Sequence, residues 1–322
     1  MLKLQKIEQF VTLFDSAFAP QGLALYKSLC RHVDRFNLWI ICLDDEVYFS
    51  LVKLGLPFIT LLRLSDLETA ELRGVKKNRS KAEYCWTLTP FAANFVFDLD
   101  GSVDRVTYLD ADLWFLRDPR EIFDEFESSC KKVLITKHAF HPLSDTSAER
   151  GKFCVQFIIF SRSSVESVQK WWQHKCLEWC FARLEDGKFG DQKYLDLWPT
   201  LFGDQVHVLK NESAALGPWN ALRFPWSDGI FYHFHSLRIL RKNWVILSNN
   251  GYFLPNPLIE SVYKPYLSDL ALAQAELKKI GGSQKKQFLL FSFDTFKLIL
   301  RGFRRYYLTL LMFLPTCRKI KR

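Results

Sequence analysis

The chain has 322 residues, 48% apolar and 25% charged, with only 14 Gly and 12 Pro, which excludes a disordered or collagen-like chain and leaves ample core. Net charge is +9, from 44 Lys and Arg against 35 Asp and Glu, yet ten of those bases and a single acid, Asp294, fall between Gln284 and Arg322. The rest of the chain is balanced, which argues against a nucleic-acid reader with a broad basic face and places any electrostatic partner at the last forty residues.

From the N-terminus, short apolar runs alternate with helical patterns, as a mostly parallel sheet requires. Phe10 to Phe14 reads as a strand, Gln21 to Val33 as a helix, Phe36 to Leu43 as a strand, Glu46 to Leu54 as a helix and Phe58 to Leu64 as a strand. Ser80, with Glu83 three residues on, forms a capping box that opens a helix running toward Asp98 with a bend at Pro90. Val103 to Leu109 is a strand ending at Asp110, and Phe153 to Phe160 is apolar enough to lie inside the sheet. Helices follow at Ser164 to Cys180 and Asp191 to Trp198. Beyond Leu216 come short strands and turns around Pro218, Pro225, Pro255 and Pro257, then helical stretches from Ile259. The reading is an α/β fold with a mostly parallel mixed sheet flanked by helices over residues 1–258, and a C-terminal helical region over 259–322.

Eight cysteines, at 30, 42, 85, 130, 154, 176, 180 and 317, show no C-x-x-C spacing and read as reduced core thiols. Cys176 and Cys180 stand one helical turn apart, with no His or second cysteine pair to complete a zinc site. The segment Met1 to Phe14 lacks the apolar stretch of a signal peptide, which assigns the body to the cytoplasm.

Asp110-Ala111-Asp112 follows the strand Val106-Thr107-Tyr108-Leu109. Residues two apart on an extended chain point the same way, so both carboxylates can converge on one divalent cation. A second such tripeptide, Asp98-Leu99-Asp100, precedes Gly101 and reads as a solvated turn. The first stands out by its place, because an open parallel sheet binds ligands at the carboxyl ends of its strands.

Further motifs stand in order around this pair: Phe14-Asp15 at the end of the first strand, Gly22 to Leu29, Arg79-Ser80-Lys81-Ala82-Glu83-Tyr84, Asp118-Pro119, Gly190-Asp191-Gln192 and His233-Phe234-His235-Ser236. In this combination the chain, over about residues 8 to 247, resembles family 8 and related nucleotide-sugar transferases with the GT-A fold. Lys77 to Pro90 and Lys188 to Asp196 look most similar to bacterial surface-polysaccharide transferases. The resemblance implies a GT-A-like, Rossmann-type fold. It also implies metal-dependent transfer of a hexose from a nucleotide-diphosphate sugar to a cell-surface glycan or lipid-linked acceptor, with retention at the anomeric carbon.

The same resemblance suggests roles for individual residues. Phe14 and Asp15 would seat the nucleotide base, and Arg79 and Lys81 would face the donor, a solvated helix start being their other reading. Asp112 and His233 are the metal ligands, with His235 a substitute for His233, and Asp110 ligates the metal or contacts the donor ribose. Asp191 and Gln192 would touch the transferred sugar, unless Asp191 merely caps a helix. Two places depart from the family pattern. Cys154-Val155-Gln156 replaces the usual Asn-Ala-Gly donor contact, leaving Gln156 as the candidate there, and Ile239 stands where a lysine is usual, with Arg238 or Arg241 in reach. Trp219-Asn220 lines the acceptor side or belongs to the core. Histidine beside carboxylate suits Mn²⁺ better than Mg²⁺.

Phe288, Phe291, Phe296, Ile299, Phe303, Tyr306 and Leu310 share one helical stripe, and Lys297, Arg301 and Arg305 recur every four residues on another. The longest uncharged run, Tyr306 to Cys317, has 12 residues, against about 20 needed to span hydrocarbon. Residues 285–322 therefore read as a basic amphipathic helix on an anionic membrane surface, at the inner face of the cell membrane. A helix packed on the core is the other reading. A non-catalytic, membrane-associated assembly protein on the same fold is the competing function. A sugar-phosphate nucleotidyltransferase fits less well, because Phe14 to Gly22 carries one Gly and no phosphate loop.

Overall fold

The computed structural model describes residues 6–239, 244–248, 252–281 and 317–319. The expected basic helix of residues 285–322 lies outside the described residues, apart from the backbone of 317–319. The chain opens as expected with β1 (Glu8–Phe14), α1 (Ala19–His32), β2 (Phe36–Cys42), α2 (Asp45–Leu54) and β3 (Ile59–Arg63). Asp44 caps α2 by accepting from Val47 N at 2.9 Å, and Gly55 ends it at φ +56°, a left-handed conformation that glycine adopts without strain. Short helices α3 (Leu64–Leu67) and α4 (Ala70–Lys76) lead to α5 (Lys81–Leu88), where the Ser80–Glu83 capping box is formed in both directions. Pro90 converts the expected bend into a 3-10 turn, Thr89–Phe91, before α6 (Ala92–Leu99).

The central stretch is β4 (Arg105–Leu109), β5 (Leu113–Phe115), α7 (Arg120–Ser129), β6 (Val133–Lys137), α8 (Ser147–Arg150), β7 (Phe153–Ser161), α9 (Lys170–Glu178), α10 (Trp198–Leu201) and β8 (Val206–Val208). Two expected helices are broken. The segment from Ser164 begins with a π turn, Val165–Gln169, before α9, and the segment after Asp191 is a 3-10 helix, Gln192–Leu197, running into α10. Strands β9 (Ala215–Leu216), β10 (Phe231–His233), β11 (Arg238–Ile239) and β12 (Trp244–Ile246), helices α11 (Asn256–Leu258) and α12 (Lys264–Lys279), and β13 (Cys317–Lys319) complete the described chain.

Seven strands form the main sheet in the order β3-β2-β1-β4-β7-β6-β8. The pairs β1–β2, β2–β3, β1–β4 and β6–β8 are parallel, and only β7 runs antiparallel to its neighbours β4 and β6. Both faces are covered: Phe10, Leu38, Phe123 and Phe157 pack on one side, and Val11, Tyr108, Ile158 and Trp172 on the other. Burial on both faces explains why these strands read as continuous apolar runs. β1 sits between β2 and β4, so the sheet order reverses beside it. The carboxyl ends of β1 and β4 flank that switch point, where an open α/β sheet has its crevice. The ring of Phe14 lies beneath Gly22, so close that a Cβ there would stand 2.3 Å from it; only glycine lets α1 pack so tightly over the end of β1.

α12 is fastened to α1 and to β5. Lys27 pairs with Glu276 at 2.7 Å. Buried Asp269 accepts from the Arg31 guanidinium and, at 2.8 Å, from Trp114 Nε1. Around it Tyr232, Tyr263, Tyr266 and Phe234 form an aromatic cluster, with Phe234 stacked on Tyr266. Removing the carboxylate leaves a buried indole N–H and a guanidinium unpaired. Asp269→Ala is therefore expected to lower the unfolding free energy by about 2–4 kcal/mol in urea titration, and Asp269→Asn, which keeps an acceptor, by less.

Candidate active site

β4 delivers Asp110 and Asp112 by ending in a tight turn. Asp110 N donates to Gln156 O at 3.0 Å, continuing the β4–β7 ladder by one step, and Leu113 N then donates to Asp110 O at 3.1 Å. The chain re-enters extended structure as β5, which pairs antiparallel with β10 in the register Leu113↔His233, and Phe234 N donates to Asp112 O at 3.0 Å. Backbone pairing thus carries His233 back to Asp112 across more than a hundred residues of sequence.

The carboxylates of Asp110 and Asp112 and the ring of His233 each offer one ligand atom, and these atoms lie within 4.8 Å of one another, the one such group among the described residues. His233 Nε2 stands 3.0 Å from Asp112 Oδ1 and 3.7 Å from Asp110 Oδ2. Its Nδ1 donates to the amide oxygen of fully buried Gln156 at 2.9 Å, which turns Nε2 toward the carboxylates. Tyr108, two residues before Asp110 and on the same side of β4, donates its hydroxyl to Asp110 Oδ1 at 2.9 Å.

The electrostatics follow from this crowding. Burial opposes charge on His233, yet Asp112 and Asp110 hold it well above the ordinary histidine range. Burial likewise opposes charge on Asp112, but His233 brings it below the usual carboxylate value. Asp110 is raised by burial, with Asp112 adding repulsion and His233 relieving it. His235, whose ring centre lies 5.6 Å from that of His233, is pushed down to about 3 by burial and by the neighbouring charge. His233 rather than His235 faces the carboxylates.

The remaining expected residues divide into two sets. Asp15, at the end of β1, accepts from Phe18 N at 3.0 Å and forms an ion pair with Lys81. Asp191 is buried beside the metal-type group and makes no side-chain cap to the 3-10 helix that follows it. Burial, reinforced by Asp110, pushes its carboxyl up to about 8. Phe14, Arg79 and Gln192 are turned elsewhere. The Phe14 ring is core under Gly22. The Arg79 guanidinium lies 3.8 Å over the Phe181 ring and reaches Leu177 O. Gln192 Nε2 donates to Arg150 O at 2.8 Å. Gln156 orients His233 from within the sheet. Asp100, by contrast, accepts from the Ser102 backbone and hydroxyl in the expected local turn.

Three neighbours have no place in the motif reading. Cys85, one turn after Lys81 on α5, has its thiol pushed well up by burial and by Asp110, Asp15 and Asp191; its i, i+4 spacing from Lys81 is the signal that could have found it. His138 is buried, stacks on Phe140 with ring centres 4.7 Å apart and meets the edge of Trp219. Trp219 in turn packs edge-on to His233, and its Nε1 and the Asn220 amide both donate to His138 O. Tyr108 was legible from strand alternation alone.

No protein-family model matches the chain. Among solved structures, the glycosyltransferase GlyE of Streptococcus pneumoniae TIGR4 superposes with a TM-score of 0.50 at 16% identity, over 88% of this chain and 67% of GlyE. The galactosyltransferase LgtC, solved in complex with donor and acceptor sugar analogues, superposes with a TM-score of 0.50 at 12% identity, over 70% of this chain and 87% of LgtC. The shared architecture is that of GT-A glycosyltransferases, a mainly parallel central sheet flanked by helices. In sequence, the chain is 31% identical to YfnF of Bacillus subtilis (strain 168) over 278 residues, which cover 80% of this chain and 91% of YfnF. At that identity and coverage the chain belongs to the same protein family as YfnF.

Proposed function

We propose that the chain is a metal-dependent glycosyltransferase of the family 8 kind. It would move a hexose from a nucleotide-diphosphate sugar to a cell-surface glycan or lipid-linked acceptor, with retention at the anomeric carbon. The observation that carries the reading is the convergence of Asp110, Asp112 and His233 at the carboxyl end of β4, within a fold shared with glycosyltransferases. Two carboxylates and an imidazole whose other nitrogen is held by Gln156 make a mixed oxygen and nitrogen set that fits Mn²⁺ better than Mg²⁺. A cation bound there supplies neutralisation of the charge that builds on the departing diphosphate.

The chain's own residues divide the remaining work. Asp15, paired with Lys81 at the switch point, faces the nucleoside end of the crevice. Asp191, its carboxyl pushed up to about 8 by burial and so protonated at neutral pH, would donate a hydrogen bond to a hydroxyl of the transferred sugar. Trp219 and Phe140, buried around His138, present aromatic edges on the acceptor side. The basic stretch 285–322 would hold the enzyme at the inner face of the membrane, where a lipid-linked acceptor lies. Among the described residues no helix is long and apolar enough to cross a membrane.

Two outcomes test this reading. Calorimetry with a panel of nucleoside diphosphates and Mn²⁺ should show affinity for one of them that EDTA removes and that falls by at least roughly 100-fold in Asp112→Ala. A folded protein that binds none of them points to the non-catalytic assembly role. The second outcome concerns Asp191, whose carboxyl titrates at about 8 when folded against 3.8 otherwise. Between those values the folded chain holds a proton that the unfolded chain has lost, so this group's contribution to stability declines as pH rises from about 4 to about 8 and is level above that. Asp191→Asn should therefore raise the Tm in EDTA by several degrees at pH 8 and by little at pH 4.5 while impairing transfer; equal shifts at both pH values would contradict the assignment.

A further inference from the structure

The two oxygens of Asp110 have different partners. Oδ1 accepts the Tyr108 hydroxyl at 2.9 Å, and Oδ2 stands 3.7 Å from His233 Nε2. Asp110 is also the most open member of the three, its side chain 27% exposed against 18% for Asp112 and 7% for His233. Burial therefore does not fix the turn of this carboxylate about its own axis, and the bond from Tyr108 does. The same division is made at His233, whose Nδ1 is committed to Gln156 at 2.9 Å and whose Nε2 alone faces the carboxylates.

Tyr108 can hold Asp110 because it is itself held. It lies on β4, the middle strand of the main sheet, in register with Val11 of β1 on one side and Ile158 of β7 on the other. Its ring is buried in the same cluster as Leu88 of α5 and Val96 of α6. Strand alternation puts residues 108 and 110 on one side of β4, so the hydroxyl meets Asp110 from the core. A hydroxyl bonded to a carboxylate makes one of the stronger hydrogen bonds. Turning the carboxylate so that both oxygens faced a cation would strip this buried hydroxyl of its acceptor, which is costly.

We propose that the Tyr108 hydroxyl confines Asp110 to ligation through Oδ2 alone, and that this selects a small octahedral cation against Ca²⁺. The inference rests on the metal-dependent reading above and deepens it. Octahedral Mn²⁺ and Mg²⁺ suit ligands that each give one atom, whereas Ca²⁺ takes about six to eight oxygens at longer distance and accepts carboxylates through both. A group in which Tyr108 withholds one oxygen of Asp110, and Gln156 one nitrogen of His233, is short of donors for the larger ion. Tyr108 is thus a positioning residue: it touches no cation and acts through Asp110.

The probes are Mn²⁺ and Ca²⁺, each titrated calorimetrically into the full chain. The wild type should bind Mn²⁺ more tightly than Ca²⁺, by roughly tenfold or more. Tyr108→Phe keeps the buried ring and removes only the hydroxyl. In this variant Mn²⁺ affinity should fall by roughly tenfold while Ca²⁺ affinity holds or rises, so the preference for Mn²⁺ collapses. A residue that merely supported packing would lower both affinities together and leave their ratio unchanged. An unchanged ratio in a folded Tyr108→Phe chain would therefore overturn the proposal and leave the metal site in place. Equal affinity of the wild type for the two ions would overturn it without any variant. A wild-type chain that binds neither ion, alone or with the nucleoside diphosphates, would overturn the metal-dependent reading itself and the proposal with it.

Discussion

A metal-ligating imidazole almost always donates its other ring N–H to a fixed partner, which sets the direction in which the ligating nitrogen points. In this chain the hydrogen bond from His233 Nδ1 to Gln156 Oε1 makes that commitment. Gln156 is fully buried in β7, so its amide direction is inherited from the sheet, and the ring direction is inherited from the amide. The carboxylates hold a proton on His233, which bridges the ring to Asp112. On the proposed reading, a metal bound at this group would displace that proton. Weakening the β4–β7 register or the β5–β10 pair would displace the site before any ligand were changed.

The site gathers more acid than it can ionise. Asp110 and Asp191 are both raised, burial first, with Asp112 repelling the former and Asp110 the latter, and the thiol of Cys85 is pushed the same way by burial and by Asp110, Asp15 and Asp191. Such crowding destabilises the fold locally and is maintained by packing elsewhere. The aromatic cluster under α12 and the doubly covered sheet provide that packing, each fully buried large side chain contributing about 1.5–3 kcal/mol. On the proposed reading, a divalent cation held by Asp110, Asp112 and His233 would relieve that crowding. Lys81 pairs with Asp15 at the end of β1, so a neutralised pair stands on the same sheet edge as this acidic group.

How much of this was legible depended on whether the controlling interaction was local. The βαβαβ start, the capping box at Ser80 and the strand into Asp110 rest on neighbours within a few residues, and all three can be read from the sequence. Choosing His233 over His235 could not be done locally: alternation puts both on one side of an extended segment, and only the pairing of His233 with Leu113 decides which one meets Asp112. Arg79 and Lys81 are two residues apart in one motif, yet Phe181 captures the first and Asp15 the second, because α9 and β1 lie on different sides of the start of α5. Strands β6 and β8 went unanticipated for a related reason. Val133 to Lys137 and Val206 to Val208 are too short and too plain to stand out until β7 is there to pair with the first and the first with the second.

The single antiparallel strand gives the site its depth. A parallel strand reaches the carboxyl edge of a sheet as it ends, so it offers loop residues such as Asp15 and Asp110. β7 runs the other way and reaches the same edge as it begins, with its register Leu109↔Phe157 placing Gln156 level with Asp110. A strand that starts at the site can put a rigid, buried residue beneath the ligands, where a loop would put a mobile one. The loop that precedes such a strand lies at the same edge of the sheet. This is the loop that carries Arg150 and is fastened by Gln192 and Lys193. One reversal of strand direction therefore brings both Gln156 and the loop before β7 to the edge that carries Asp110 and Asp112.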